Sequence, residues 1–209
     1  MYQTIREFAP EGTETGVGLA ILDESERFIF FLAGDRHNCP PGELFYAGIG
    51  GHKEEDEDHI TCAHREAREE IGSDIDIISS EFTWYVPQAK PVVQVYLDDQ
   101  PRPFALYEMI HPPGTPREGQ LYRIIIYSAK LMDELGRLAL DEVQGVIALS
   151  KNQVIQSLGR KPKLSDLLEE GARLLAGIQS VDLQVRLYPL GTAEALAHIL
   201  RHINASAMK

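Results

Sequence analysis

Glu66, Glu69 and Glu70 are the residues of this 209-residue chain whose types and spacing point most directly to chemistry. If residues 59 to 71 are helical, a turn of about 100° per residue places the three carboxylates within one arc of about 100°, opposite an apolar stripe. Glu66 and Glu70 are then like charges four apart, which mildly destabilises a helix unless a cation compensates. Hard divalent cations with oxygen ligands, Mg²⁺ first, are the natural compensators. Arg65 stands four residues before Glu69 and can pair with it, while Glu57 adds an acid near the positive end of the helix. An acidic helix face is on its own most often simply solvated. Here the charge is concentrated: of a net −12, the stretch from Gly51 to Glu81 carries −8, with eleven acids against three bases.

The elements that must position these residues follow from periodicity. Ile60, Ala63, Ala67 and Ile71 recur at spacings of three and four, which predicts an amphipathic helix from about His59 to Ile71, with Asp58 as its N-cap and Gly72 as its stop. The three carboxylates are expected on its solvent side. Ahead of it, Val17 to Leu22 and Phe28 to Ala33 read as paired strands, and Leu44 to Tyr46 as a short strand running into Gly48, Gly50 and Gly51. Strands are expected again at Ile75 to Ile78, Val92 to Leu97, Phe104 to Ile110, Tyr122 to Ala129 and Val143 to Leu149, with a proline-rich loop from Ile110 to Gln120. A helix is expected from Lys151 to Leu158. Beyond a basic break at Gly159 to Lys163, helices are expected over Leu164 to Ile178 and Thr192 to Ile203, with a strand over Val181 to Tyr188.

Composition removes several classes of function. With 20 Lys and Arg against 32 Asp and Glu, the chain is unsuited to non-specific nucleic-acid binding, and the excess of three bases after Ser150 is too small for a DNA-binding tail. The longest apolar runs fall far below the roughly 18 residues of a membrane span. The first sixteen residues lack the basic start and apolar stretch of a secretory signal, so a cytoplasmic location is expected. Cys39 and Cys62 are too few and too far apart for a disulfide framework or a cysteine zinc site.

Read from Gly51, the segment GHKEEDEDHITCAHREAREEIGS resembles the Nudix box, G-x5-E-x7-R-E-U-x-E-E-x-G-U with U a bulky aliphatic residue. Gly51, Glu57, Arg65, Glu66, Glu69, Glu70 and Gly72 all match; Ala67 and Ser73 depart from the two U positions. The resemblance implies an enzyme that hydrolyses the diphosphate linkage of a nucleoside diphosphate derivative, such as ADP-ribose or a nucleotide sugar, or of a nucleoside triphosphate, with Mg²⁺ or Mn²⁺. It implies Glu69 and Glu70 as metal ligands, with Glu66 either a ligand or the base that takes the proton of water, and Arg65 beside them. The carbonyl of Gly50 or Gly51 would complete the metal site. Glu57 would orient the loop. The alternative is a catalytically silent Nudix-derived module that senses a nucleotide, a reading that the intact acids oppose.

Outside the box, Asp141 and Glu142 precede a strand where a further ligand or base is expected, with Glu142 the first choice and Glu118 its rival. Arg36 could reach a phosphate, and Tyr46, Trp84 and Tyr85 could stack on a base. The expected architecture is an α/β/α sandwich with a mixed sheet, the box helix on one side and Lys151 to Leu158 on the other. The Nudix domain would span residues 10–158, and residues 159–209 a helical extension serving as a cap or as the arm of a homodimer.

Overall fold

The computed structural model describes residues 2–111, 113, 117–177 and 181–207. One turn of helix, α1 (Ile5–Phe8), leads into β1 (Thr15–Leu22), β2 (Phe28–Ala33) and β3 (Glu43–Ala47), followed by the box helix α2 (His59–Ile71). Six strands come next: β4 (Ile75–Ile78), β5 (Thr83–Val86), β6 (Val93–Val95), β7 (Ala105–Ile110), β8 (Leu121–Leu131) and β9 (Val143–Leu149). The chain ends with α3 (Lys151–Gln156), α4 (Leu164–Glu169), β10 (Arg173–Ala176), β11 (Arg186–Pro189) and α5 (Thr192–Ala207).

All these strands join one mixed sheet, in which β1 runs parallel to β8 and β2 antiparallel to β9. Its functional feature is a split. β1 and β2 pair only beside their turn, through Ile21 with Ile29 and Leu22 with Phe28, and then diverge. β3 fills the opening from one side, pairing antiparallel with β2 through Phe31–Ala47 and Leu32–Tyr46. The residues just after it pair with β1: the Leu19 N–H donates to the Ile49 carbonyl at 2.8 Å, and the Val17 N–H to the Gly51 carbonyl at 2.9 Å. Gly48 to Gly51 therefore lie in a crevice opened inside the sheet, and α2 lies beside it against β1.

Both faces of the sheet are covered by apolar side chains, as the sandwich expectation requires. One layer joins Phe8, Leu19, Ile21, Cys62, Ala63, Ala67 and Ile71. The other joins Phe30, Trp84, Val154, Leu164, Leu187, Leu196 and Ile199. The second face differs from the expectation. It is covered chiefly by α5, which touches β1, β3, β5 and β7, while α3 packs beside α5. Ala193, Ala195, Leu196, Ala197 and Ile199 are wholly buried, and burial of Leu196 and Ile199 alone stabilises the fold by about 1.5–3 kcal/mol each. The Tyr107 hydroxyl fixes the helix to β7 by donating to Glu194 Oε2 at 2.7 Å.

The C-terminal segment also brings a strand where helix was expected. The helix read over Leu164 to Ile178 stops at Glu169; Gly171, at φ +95°, turns the chain, and β10 pairs antiparallel with β9. An edge of β9 was open to a partner, and that pairing outweighs local helical periodicity. β11 runs parallel to β3, Arg186 opposite Glu43 through Pro189 opposite Tyr46. Ile178, the end of that expected helix, and residues 112 and 114–116 of the expected proline-rich loop lie outside the described residues. Among the described residues, no helix is long and apolar enough to cross a membrane.

Candidate active site

The crevice and α2 meet through the glycines. Asp58 caps α2 by accepting the Thr61 N–H at 2.7 Å, and Gly72 closes it in the left-handed conformation. Gly50 has φ +142°, a conformation that side chains disfavour, and its N–H donates to Glu70 Oε2 at 2.9 Å. A Cβ on Gly51 would stand 2.6 Å from Glu66 Cδ, so the absence of a side chain there is what lets the Glu66 carboxylate approach the loop backbone.

This packing corrects the expectation of a solvent-side acidic patch. Glu66 is 8% exposed and Glu70 3%, whereas the Glu69 side chain is 59% exposed. Cys62, Glu66 and Glu70, a row of i, i+4 and i+8, face the glycine loop, and the buried arc of α2 is wider than its apolar stripe. Helical periodicity read from apolar residues alone could not show that acids occupy part of the buried side. Both departures from the box concern packing. Ala67 is wholly buried, and the buried Ser73 hydroxyl donates to the Asp133 carbonyl at 3.2 Å, satisfying a polar group that an aliphatic residue would not carry.

Arg65 does more than pair with Glu69. Its Nη1 donates to Glu66 Oε1 and Glu69 Oε2, each at 2.9 Å. Its Nη2 donates to Glu57 Oε1 at 2.7 Å and the His52 carbonyl at 3.2 Å, and its Nε to Glu57 Oε2 at 3.2 Å. Glu57 closes the loop by accepting the Glu54 N–H at 2.9 Å, while its own carbonyl accepts from Lys53 Nζ at 2.7 Å. One planar guanidinium thus sets the spacing of three carboxylates. The bond from Arg65 holds the Glu57 carboxyl down to about 2, and Glu57, followed by Glu69, pushes the guanidinium up. Burial raises the Glu66 carboxyl and raises Glu70 well above the ordinary carboxylate range.

Four carboxylates gather here around one guanidinium that bonds three of them, and Glu66 and Glu70 are buried. That excess of negative charge in a poorly solvated place fits a hard divalent cation held by carboxylate oxygens and a backbone carbonyl. Glu66, Glu69 and Glu70 are the side chains that could hold such an ion, with the Gly50 and Gly51 backbone alongside Glu70 and Glu66.

These residues line one wall of a cleft of 1680 Å³, larger than the roughly 300–1,000 Å³ of a typical small-ligand site. Arg36 and Glu142 line it too, but as an ion pair with each other; the Arg36 N–H also donates to the Asp141 carbonyl at 2.8 Å. Glu118 is exposed and stands outside the lining. Tyr46 and Trp84 are not brought to the cleft. Tyr46 is buried against Phe30 at a ring separation of 5.2 Å, and Trp84 against Phe82 and His202. Alternation along β3 turns Tyr46 into the core and its neighbour Phe45 into the cleft. Phe45 lies edge-on to Tyr188 of β11 at 6.3 Å, and Lys161 Nζ stands 5.0 Å over the Tyr188 ring. Period-two alternation could have selected Phe45. Tyr188 reaches the cleft through the long-range pairing of β11 with β3, and Lys161, ahead of α4, through its ion pair with Glu43 of β3.

The chain is similar to several solved structures. A Nudix hydrolase from Clostridium perfringens is 10% identical, with a TM-score of 0.47 over 93% of this chain and 97% of that chain. An Ap4A hydrolase from C. elegans is 15% identical, with a TM-score of 0.47 over 93% and 98%. A Nudix hydrolase from Nitrosomonas europaea is 15% identical, with a TM-score of 0.46 over 85% and 93%. No curated protein matches the chain. The NUDIX domain family model matches residues 12–146, a span that begins before β1, contains the split of the sheet, the glycine loop and α2, and ends within β9; the chain belongs to the Nudix family.

Proposed function

We propose that this protein hydrolyses the diphosphate linkage of a nucleoside diphosphate derivative, such as ADP-ribose or a nucleotide sugar, or of a nucleoside triphosphate, using Mg²⁺ or Mn²⁺. The observation that carries this reading is the approach of Glu66 and Glu70 to the Gly50–Gly51 backbone, with Glu69 held beside Glu66 by Arg65, at the wall of a large cleft. A divalent cation held by these residues would supply neutralisation of phosphate charge and would make water easier to deprotonate. The chain's own residues arrange the rest. Arg65 keeps Glu66 and Glu69 at fixed positions, and the Gly50 N–H holds one oxygen of Glu70 while its other oxygen remains to bind. Glu66 is either a metal ligand or the base that takes the proton of water, and Glu142 lines the same cleft as a second carboxylate for proton transfer once a substrate phosphate has drawn Arg36 away. Phe45 and Tyr188 offer ring surface to a base, with Lys161 beside them for phosphate.

Phosphatase-coupled release of phosphate from ADP-ribose, nucleotide sugars, dinucleoside polyphosphates and nucleoside triphosphates tests the reading. Turnover confined to one class and abolished by EDTA is the expected result. Binding of these ligands by thermal shift without turnover of any would favour the sensing module instead.

A further inference from the structure

A second cluster at the cleft is not used by the proposed reaction. Glu14 lies just before β1, His52 follows the glycine loop, and His111 follows β7, so three distant parts of the chain deliver one acid and two imidazoles to one place. His52 Nε2 lies 2.9 Å from Glu14 Oε1, and His111 Nε2 lies 3.8 Å from the same oxygen. All three donor atoms fall within 4.8 Å of one another. Tetrahedral coordination at about 2.1 Å sets donors roughly 3.4 Å apart, a spacing that the two observed separations straddle.

The donors are also held in place. The Tyr122 ring stacks on His52 at 4.7 Å and lies against His111 at 5.3 Å, so one aromatic ring supports both imidazoles. Gly16 and His52 form a β-bridge, and the His111 N–H donates to the Gln120 carbonyl at 3.0 Å, which ties each histidine to the backbone of the sheet. The His111 side chain is 11% exposed, and its buried Nε2 has no hydrogen-bond partner among the described residues. A buried nitrogen is costly to leave without a partner, and this one faces a carboxylate and a second imidazole. The position already attracts positive charge: the Arg117 guanidinium pairs with Glu14 and stands 3.2 Å from His52 Nε2.

We propose that Glu14, His52 and His111 form a second divalent-metal site, of the zinc class and separate from the glutamates of α2. The assignment follows from donor chemistry: two imidazoles and one carboxylate suit Zn²⁺, whereas an all-oxygen set suits Mg²⁺ or Mn²⁺. Three protein ligands leave a fourth position open toward the cleft, which both histidines line. Arg117 and the metal compete for Glu14, because each neutralises the same carboxylate. The proposal is independent of the diphosphate reading, since its readout is metal binding and not turnover.

The test is Co²⁺ and Zn²⁺ binding to the full chain, by equilibrium dialysis and by the visible absorption of bound Co²⁺, in excess Mg²⁺ to occupy oxygen ligands. The wild type is expected to bind one Co²⁺ with the intense absorption of a low-coordinate site containing nitrogen. His52→Ala and His111→Ala should each weaken binding by at least about tenfold, the loss already associated with removing an outer partner of a metal ligand. Glu69→Gln should leave it unchanged. Arg117→Ala, at an exposed side chain whose removal does not threaten folding, should tighten binding. Co²⁺ binding that survives the double histidine substitution in a protein folded by circular dichroism would overturn the site, as would weaker binding in Arg117→Ala.

Discussion

Replacing Glu70 by Gln is expected to stabilise the metal-free protein while removing its activity. The carboxylate is 3% exposed, and its Oε2 accepts the Gly50 N–H at 2.9 Å. A glutamine keeps an acceptor for that bond and discards the charge. Burial first, then Glu66 and Glu69, raises this carboxyl well above its ordinary value of 4.5. The sign follows from proton linkage. In the unfolded chain the group ionises near 4.5, whereas in the folded protein it keeps its proton to higher pH, so stability falls as pH rises above 4.5. Each pH step of one costs at most about 1.4 kcal/mol, which bounds the penalty at pH 7 near ~3.4 kcal/mol. A gain within that bound is therefore expected in E70Q, worth roughly 2–4 °C per kcal/mol in a chain of this size. Urea unfolding in EDTA, followed by circular dichroism from pH 5 to pH 7, measures it. The advantage of E70Q should widen with pH, and added Mg²⁺ should stabilise the wild type far more than the variant. An E70Q protein less stable than the wild type at pH 7 in EDTA, or a difference that ignores pH, would refute the reasoning.

Glu57 titrates in the opposite sense: its folded carboxyl is held at about 2 against 4.5 for a free one, so its contribution is complete above about 4.5 and is lost as pH falls toward about 2. The stability difference between wild type and Glu57→Gln should shrink across that window in acid unfolding, and a difference that persists to its lower end would contradict the Arg65 pairing. Gly51→Ala sets a methyl group 2.6 Å from Glu66 Cδ, and steady-state turnover should fall by about 100-fold as that carboxylate is displaced; normal turnover would show that its position is immaterial. Tyr188→Ala removes ring surface from the cleft and should raise KM by about fivefold or more with little change in kcat, whereas an unchanged KM would place the base elsewhere.

What was legible in the sequence was local. Asp58, the three-and-four spacing of α2 and Gly72 define a helix by capping and periodicity, and the box register names its acids without any tertiary information. The strands flanking it carry alternation or continuous apolar runs strong enough to read singly. The split between β1 and β2 was not legible, because it depends on Ile49 and Gly51 bonding to residues thirty or more positions earlier. Nor was the burial of Glu66 and Glu70, which contradicts hydropathy and exists only because the glycine loop packs on that face. β5 went unread between two strands of similar composition, and β10 was read as helix, because its pairing with β9 is set by the sheet edge and not by its own residues. Glu14, His52 and His111 were invisible as a group for the same reason: no sequence spacing connects them.

The central claim is that the α2 glutamates hold the metal that drives hydrolysis. Glu69 tests it best, because its side chain is 59% exposed and its replacement by Gln disturbs no buried packing. The decisive measurement is turnover of the preferred diphosphate substrate across a Mg²⁺ titration, in wild type and Glu69→Gln, with equal thermal midpoints in EDTA as the control for folding. Metal-dependent turnover is expected in the wild type and a loss of orders of magnitude in the variant, unrelieved at saturating substrate. Comparable turnover and Mg²⁺ dependence in the two proteins would contradict the claim and move the chemistry away from α2.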